Sequence, residues 1–131
     1  MATRTISNQP RRQRKARVDA PLHVRQKYLH VRLETKLAKK YNRRSVQIRK
    51  GDTVKVLRGD ARNREGKVAK VSLKDEAIEV DGVTVHKADG SEVARPIHPS
   101  NVILTKLELK DKLRTSRLGG GKRASEKDLS A

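Results

Sequence analysis

Cysteine is missing from the 131 residues, which excludes disulfide bonds and thiolate zinc sites and fits a reducing compartment. Phenylalanine and tryptophan are missing too; the only aromatic rings are Tyr28 and Tyr41, both in the amino-terminal part of the chain. A sheet that reads single strands by stacking needs aromatic platforms on its strands, so that mode of binding is not expected. No stretch approaches the ~18 apolar residues of a membrane span. The first residues lack the apolar centre of a secretory signal, although their arginines and want of acids fit a transit or nuclear address. Apolar residues make up only 34% of the chain, which favours a compact centre with polar arms over a core running its full length.

Catalytic and metal-binding patterns are equally scarce. The stretch 59–67 resembles a phosphate loop only faintly, because its glycine spacing is two too long and Val68 stands where the magnesium-binding hydroxyl belongs. Gly119-Gly120-Gly121-Lys122 is a glycine run before a lysine and nothing more. His23, His30, His86 and His98 are scattered with no partner spacing for zinc. Ser100 lacks a nucleophile-elbow context, and Asp75-Glu76 reads as a solvated turn. Without a converging nucleophile, base and oxyanion donors, the chain reads as a non-enzyme with no metal, cofactor or small-molecule substrate.

Positive charge is what the sequence has in excess. Its formal net charge is +18 and its pI is near 10.9. A compact protein at that charge repels itself, so a polyanionic partner is the economical explanation. Residues 1–50 hold 16 Lys and Arg against Asp19 and Glu34, a local net of +14, while residues 51–131 carry only +4. Adhesion is therefore expected mainly from the amino-terminal arm.

The arm opens with Arg11-Arg12-Gln13-Arg14-Lys15-Ala16-Arg17, a like-charge block expected to be disordered alone and to bind nucleic acid. Asp19-Ala20-Pro21 suggests a cap and first turn for a short basic helix over 21–30. Leu33, Leu37 and Tyr41 recur every four residues and predict a second helix stopped at Asn42. After Ser45 the apolar period falls to two, with Val46 and Ile48, and a domain boundary is placed near Arg44. Strands are predicted at 53–58, 67–73, 77–81, 83–87, 92–97 and 102–104, with Asp81-Gly82 as a two-residue hairpin turn. The loop over 59–66 has a glycine at each end, where positive φ is cheap. Val68 and Val71 cannot share a face by strict alternation, which predicts a bulge or bend after Gly66. Pro96 and Pro99 argue against central strand pairing there.

Five or six short strands in so short a span predict a small closed β-barrel. Its predicted core is Val54, Val56, Val71, Ile78, Val80, Val83, Val85, Val93, Ile97, Val102 and Leu104. Asp111 would cap a short helix over 113–118, ended by the glycines, with a loose polar stretch at 122–131. The division is thus a basic, partly helical arm (1–44), a barrel (45–106) and a polar tail (107–131).

Gly51-Asp52-Thr53-Val54 through Glu65-Gly66-Lys67-Val68 resembles the KOW motif of SH3-like barrels in ribosomal proteins and transcription elongation factors. Arg44-Ser45-Val46-Gln47-Ile48-Arg49-Lys50-Gly51-Asp52 and Pro96-Ile97-His98-Pro99-Ser100-Asn101-Val102 resemble the large-subunit ribosomal protein family numbered twenty-four in universal naming. Ala20-Pro21-Leu22-His23-Val24-Arg25 and Leu37-Ala38-Lys39-Lys40-Tyr41-Asn42 are similar to the arm of its archaeal and eukaryotic branch. The resemblance covers about residues 10–106. It departs in the loop, where Asn63-Arg64 stands in place of the Lys-Gly of many relatives. It implies an SH3-like barrel in the cytoplasmic ribosome, contacting the 5′ region of large-subunit rRNA early in assembly, near the peptide tunnel exit and beside other large-subunit proteins. The alternatives are a transcription-elongation module, which would need a neighbouring domain of another kind, and a chromatin-like DNA binder.

The candidate RNA contacts follow from the charge clusters: Arg11, Arg12, Arg14, Lys15 and Arg17 in the block, then Lys39, Lys40, Arg43, Arg44, Arg49 and Lys50. The loop contributes Arg58, Arg62, Asn63, Arg64 and Lys67. The basic helix read at 21–30 adds Arg25 and Lys27, and the resemblance of the Pro96–Val102 segment to the ribosomal family implies His98, Ser100 and Asn101 as well.

Overall fold

Alternation at Val54/Val56 and Val102/Leu104 puts four apolar side chains on one face of two strands, and burying that face organises the fold. The computed structural model describes residues 7–119; the expected polar stretch 122–131 lies outside them. In chain order the elements are α1 (Pro10–Val18), α2 (Leu22–Arg25), a 3₁₀ turn (Gln26–Leu29), β1 (His30–Leu33), α3 (Thr35–Tyr41), β2 (Ser45–Gln47), β3 (Thr53–Val56), β4 (Glu65–Ser72), β5 (Ala77–His86), β6 (Glu92–Ile97), a second 3₁₀ turn (Pro99–Asn101), β7 (Val102–Lys106) and α4 (Lys112–Gly119).

The protein is mainly β, with one mixed, barrel-like sheet of seven strands in the order β2-β1-β7-β3-β4-β5-β6. Among the described residues no ladder joins β2 to β6, so the sheet is open where a closed barrel was expected. β4 makes the curl. Its first residues pair with β3 (Val54 opposite Gly66), and from Val68 onward it pairs with β5 (Val68 opposite Val80). The register shifts between Val68 and Lys70, the bulge that the Val68/Val71 mismatch predicts. Gly66 sits at this handover, and a Cβ there would overlap the Asp81 carbonyl oxygen and lie 2.8 Å from Val80 Cγ1. Steric room, not positive φ, is what that position demands.

Asp81-Gly82 does not make a hairpin. Ala77–His86 is one long strand, and the dipeptide forms a corner within it, with Gly82 at φ +84°. From Glu79 to Thr84 β5 advances five residues while its partner β6 goes only from Pro96 to Ala94. The surplus residues bulge, and the strand bends across the core. Past the bend Val85 and Val93 face each other at 45% and 41% exposure, so neither belongs to the core. Pro96 lies on the edge strand β6, where its lack of N–H is tolerated.

The arm also differs from its reading. The stripe at Leu33 belongs to a strand, and the helix begins only at Thr35. β1 pairs antiparallel with β2 and parallel with β7, putting Leu29, Val31 and Leu33 into the same core as Val54 and Leu104. Each such burial is worth roughly 1.5–3 kcal/mol, which four-residue spacing alone did not reveal. Val46, Ile48, Val68 and Leu118 complete the buried set, with Val71 and Ile97 half-buried beside it. Asn42 stops α3 in the left-handed conformation (φ 50°), as expected. The block at 11–17 lies in a fully exposed helix, α1, begun by Pro10 rather than left as coil. Asp19 follows α1 instead of capping α2, whose N-cap is Pro21.

Candidate nucleic-acid interface

The expected RNA contacts fall into three places. The first is α1, where Arg11, Arg12, Arg14 and Lys15 are exposed and form no ion pair among the described residues. Arg17, by contrast, is bound within the protein. Its Nε donates to Glu76 Oε2 at 3.1 Å, its Nη2 makes an ion pair with the same carboxylate, and its guanidinium lies 4.8 Å from the Tyr28 ring centre. The hydrogen bond from Arg17 holds the Glu76 carboxyl below its usual range and raises the guanidinium in turn. Arg25 is also turned inward, donating to the carbonyls of Ala20 (2.9 Å), Lys74 (2.8 Å) and Val18. These two arginines fasten the arm to the turn between β4 and β5 and so hold α1 in place.

The second place is the corner made by β1, α3 and β2. A groove of about 500 Å³ is lined by Lys39, Arg43 and Arg44 together with Arg32, which the sequence reading passed over. Strand alternation in His30-Val31-Arg32-Leu33 is the signal that points Arg32 away from the core. Lys40 is exposed on α3 with its ammonium 5.5 Å from the Tyr41 ring centre, and Lys27 is exposed before β1. Arg49 pairs with Asp111, whose carboxyl is held low mainly by that hydrogen bond, and Lys50 is exposed in the following turn.

The third place is the loop between β3 and β4. Arg58, Arg62, Asn63 and Arg64 are all exposed, and Lys67 is exposed at the start of β4. Asn63 takes positive φ (66°), a left-handed conformation that asparagine tolerates better than most residues. Arg64 Nη1 donates to the Gly82 carbonyl at 3.3 Å. A cleft of about 150 Å³ brings Arg58 together with His98 and Asn101, residues some forty positions apart in sequence, and with Arg95. Arg95 Nη1 pairs with Asp60 at 2.5 Å and ties the loop to β6. The second 3₁₀ turn holds the cleft's other wall: the Leu57 N–H donates to the Asn101 carbonyl at 2.8 Å, and Ser100 N–H donates to His98 Nδ1 at 3.2 Å.

Under these places lies a clasp that was not foreseen. Asp52 is fully buried, and Arg114 of α4 meets it with two parallel hydrogen bonds, Nη1 to Oδ1 at 2.6 Å and Nη2 to Oδ2 at 2.7 Å. The same carboxylate accepts from the backbone N–H groups of Arg49 and Glu108, each at 2.9 Å. Arg114 also donates to the carbonyls of Glu108 (3.0 Å) and Gln47 (3.1 Å). Asp111 caps α4 as expected, accepting from the Leu113 N–H at 2.9 Å. Residues 107–119 are thereby part of the scaffold. Asp52 stands next to Gly51 at the entry to β3, but a partner 62 residues away leaves no local trace.

Acidic residues gather in residues 75–92, which carry Asp75, Glu76, Glu79, Asp81, Asp89 and Glu92 against the single cation Lys87. Glu76, in the turn before β5, is the one that meets Arg17 of α1. Among the described residues no cluster of three or more His, Asp or Glu side chains is placed to hold a metal ion.

Comparison with known proteins gives these features a family. A family model covering the eukaryotic ribosomal protein L26 and its archaeal L24 counterpart matches residues 7–120. The chain belongs to that family. A large ribosomal subunit protein uL24 of Methanosarcina barkeri is 59% identical over 113 residues, covering 86% of this chain and 97% of the relative. The uL24 proteins of Methanothrix thermoacetophila (58% over 106 residues, 81% and 91% covered) and Methanospirillum hungatei (56% over 117 residues, 89% and 98% covered) are similar to the same extent. Members of this family are structural and non-enzymatic, in keeping with a surface built of cationic patches around a small β core.

Proposed function

We propose that this chain clamps folded large-subunit rRNA, with the β core fixing position and the cationic segments supplying adhesion. As a member of its family it is a structural constituent of the large ribosomal subunit in the cytoplasm, alongside rRNA and other ribosomal proteins. The observation that carries the clamp is the separation of charge. Arg11, Arg12, Arg14 and Lys15 on α1, the rim of the β1–α3–β2 groove, and Arg58, Arg62 and Arg64 in the loop are exposed without acidic partners among the described residues, whereas the acids collect at 75–92. Phosphates are bound by such unpartnered cations, and released counterions drive the association. The near absence of aromatic rings favours reading of backbone and shape over stacking on the sheet. Within that reading, the 5′ region of the large-subunit rRNA is the binding site, binding occurs early in subunit assembly, and the bound protein lies near the tunnel exit. The functional parts are an arm over 1–44, a barrel over 45–106 and a tail over 107–131, although β1 makes the arm inseparable from the core.

The test keeps the chain intact, because cutting at 45 would remove β1. Replacing Arg11, Arg12, Arg14 and Lys15 with alanine and measuring affinity for a 5′-domain rRNA transcript from about 0.05 to 0.3 M salt isolates α1. Each phosphate contact contributes roughly 0.7–0.9 to the slope of log affinity against log salt, so the variant's slope falls by about 3. An unchanged slope shows that α1 neutralises no phosphate.

A further inference from the structure

We infer that the outer edge of β6 pairs with an extended, cationic segment of another protein, at a surface distinct from the patches proposed for RNA. β6 ends the sheet order, so among the described residues one side of it has no neighbouring strand. The hairpin turn sets the direction of its backbone groups. Lys87 N–H donates to the Ser91 carbonyl at 2.9 Å and Gly90 N–H to the Lys87 carbonyl at 3.0 Å, which makes Lys87 and Ser91 a hydrogen-bonded pair. Antiparallel pairs alternate, so Val85 and Val93 exchange the next bonds. Glu92 opposite His86 and Ala94 opposite Thr84 then turn their N–H and C=O groups outward. Pro96 continues the outward row, where a residue without N–H costs no ladder bond. The open edge therefore offers donors and acceptors at Glu92 and Ala94 and stops at a proline.

The side chains around that edge select the occupant. Val85 and Val93 form an exposed apolar pair on one face, so an added strand gains by setting an aliphatic side chain beside Val93. Glu92 points to the opposite face, exposed and with His86 Nε2 at 3.6 Å, and a cation on the added strand would meet it there. A segment that alternates aliphatic and cationic residues satisfies both faces at once. Over residues 81–93, Asp81, Asp89 and Glu92 stand against Lys87 alone, a local charge that repels phosphate and attracts a basic polypeptide. A second copy of this chain would bring the same acids to the edge, and at +18 two copies repel as wholes. Recognition of this kind takes its affinity from backbone bonds and its specificity from alternate side chains.

The test adds a short synthetic peptide of alternating lysine and valine to the full-length, ¹⁵N-labelled chain and follows amide hydrogen exchange. In the free chain Glu92 and Ala94 should exchange quickly and Val85 and Val93 slowly. At saturating peptide the Glu92 and Ala94 amides should slow by about ten-fold or more, because a new ladder bond closes each N–H. The same peptide with glutamate in place of lysine should leave them unprotected. Glu92→Lys should weaken binding of the lysine peptide by about five-fold, the effect of reversing one cross-strand charge pair. Ala94→Pro removes an outward donor and puts a ring in the partner's path, so it should abolish protection at Glu92 while slow exchange at Val85 and Val93 certifies that β5–β6 pairing survives. If the proline disturbs that pairing, Glu92→Lys decides alone. Peptide-induced shifts with Glu92 and Ala94 still exchanging freely would reduce the edge to a charge contact and overturn the inference. Equal protection by the glutamate peptide, undiminished binding to a correctly paired Ala94→Pro chain or to Glu92→Lys, or no binding at all would overturn it too.

Discussion

Replacing Arg114 with leucine breaks the buried ion pair of the scaffold. The Asp52 carboxylate would keep two backbone N–H donors, from Arg49 and Glu108, but lose both guanidinium hydrogen bonds and its counter-charge inside the core. Breaking one side of a buried ion pair costs about 3–5 kcal/mol, because the remaining charge stays desolvated without compensation. Set against a total stability of roughly 5–15 kcal/mol for a domain, that loss is a third or more. Asp52→Asn is costly for a different reason. Each carboxylate oxygen accepts from one backbone N–H and one guanidinium N–H, so an amide in either orientation sets its NH₂ against two donors. The double variant removes both charges together. It should therefore cost less than the sum of the singles, with a coupling of about 2–3 kcal/mol. Urea unfolding followed by far-ultraviolet circular dichroism at neutral pH gives all three values. Additive effects, or an Arg114→Leu cost below about 1 kcal/mol, would refute the role given to the clasp.

Two further outcomes follow from the same geometry. Gly66→Ala should destabilise by about 1–3 kcal/mol in the same unfolding assay, since its methyl group meets the Asp81 backbone and no flexible side chain can yield there. Lowering the pH should loosen the arm. Glu76 has a depressed carboxyl, so its contact with Arg17 contributes fully above its ordinary value of 4.5 and is lost as pH falls through the lower folded value. Hydrogen exchange at α1 amides checks this: protection should drop on acidification in the native chain and be low at every pH in Glu76→Gln.

Much of the β core was legible because its signals are local. Val54/Val56 alternation, the mismatch after Gly66 and the Asp111 cap each lie within a few residues of their cause. Two local signals misled, for a physical reason. Asp81-Gly82 supplies a backbone turn that serves a hairpin or a bulge equally well, and the choice falls to β6, which pairs with β5 on both sides of the bend, at Ile78–Glu79 and again at Thr84–His86. Leu33, Leu37 and Tyr41 fit a helical period, but β7 offers Ile103 and Leu104 as parallel partners and draws Leu33 into the sheet. Nothing near Asp52 reveals Arg114, and nothing near Glu76 reveals Arg17 at a separation of 59 residues. The candidate contacts were legible as charge clusters; which cations are spent internally, as Arg17 and Arg25 are, is decided only by tertiary packing.

The most direct measurement of the central claim is photo-crosslinking of the intact chain to large-subunit rRNA, with the attached residues mapped by mass spectrometry. Crosslinks should concentrate on α1, on the rim of the β1–α3–β2 groove and on the loop carrying Arg58, Arg62 and Arg64, and be sparse across the acidic ribbon at 75–92. Crosslinks centred on that ribbon, with α1 and the loop untouched, would contradict a clamp built on separated charge.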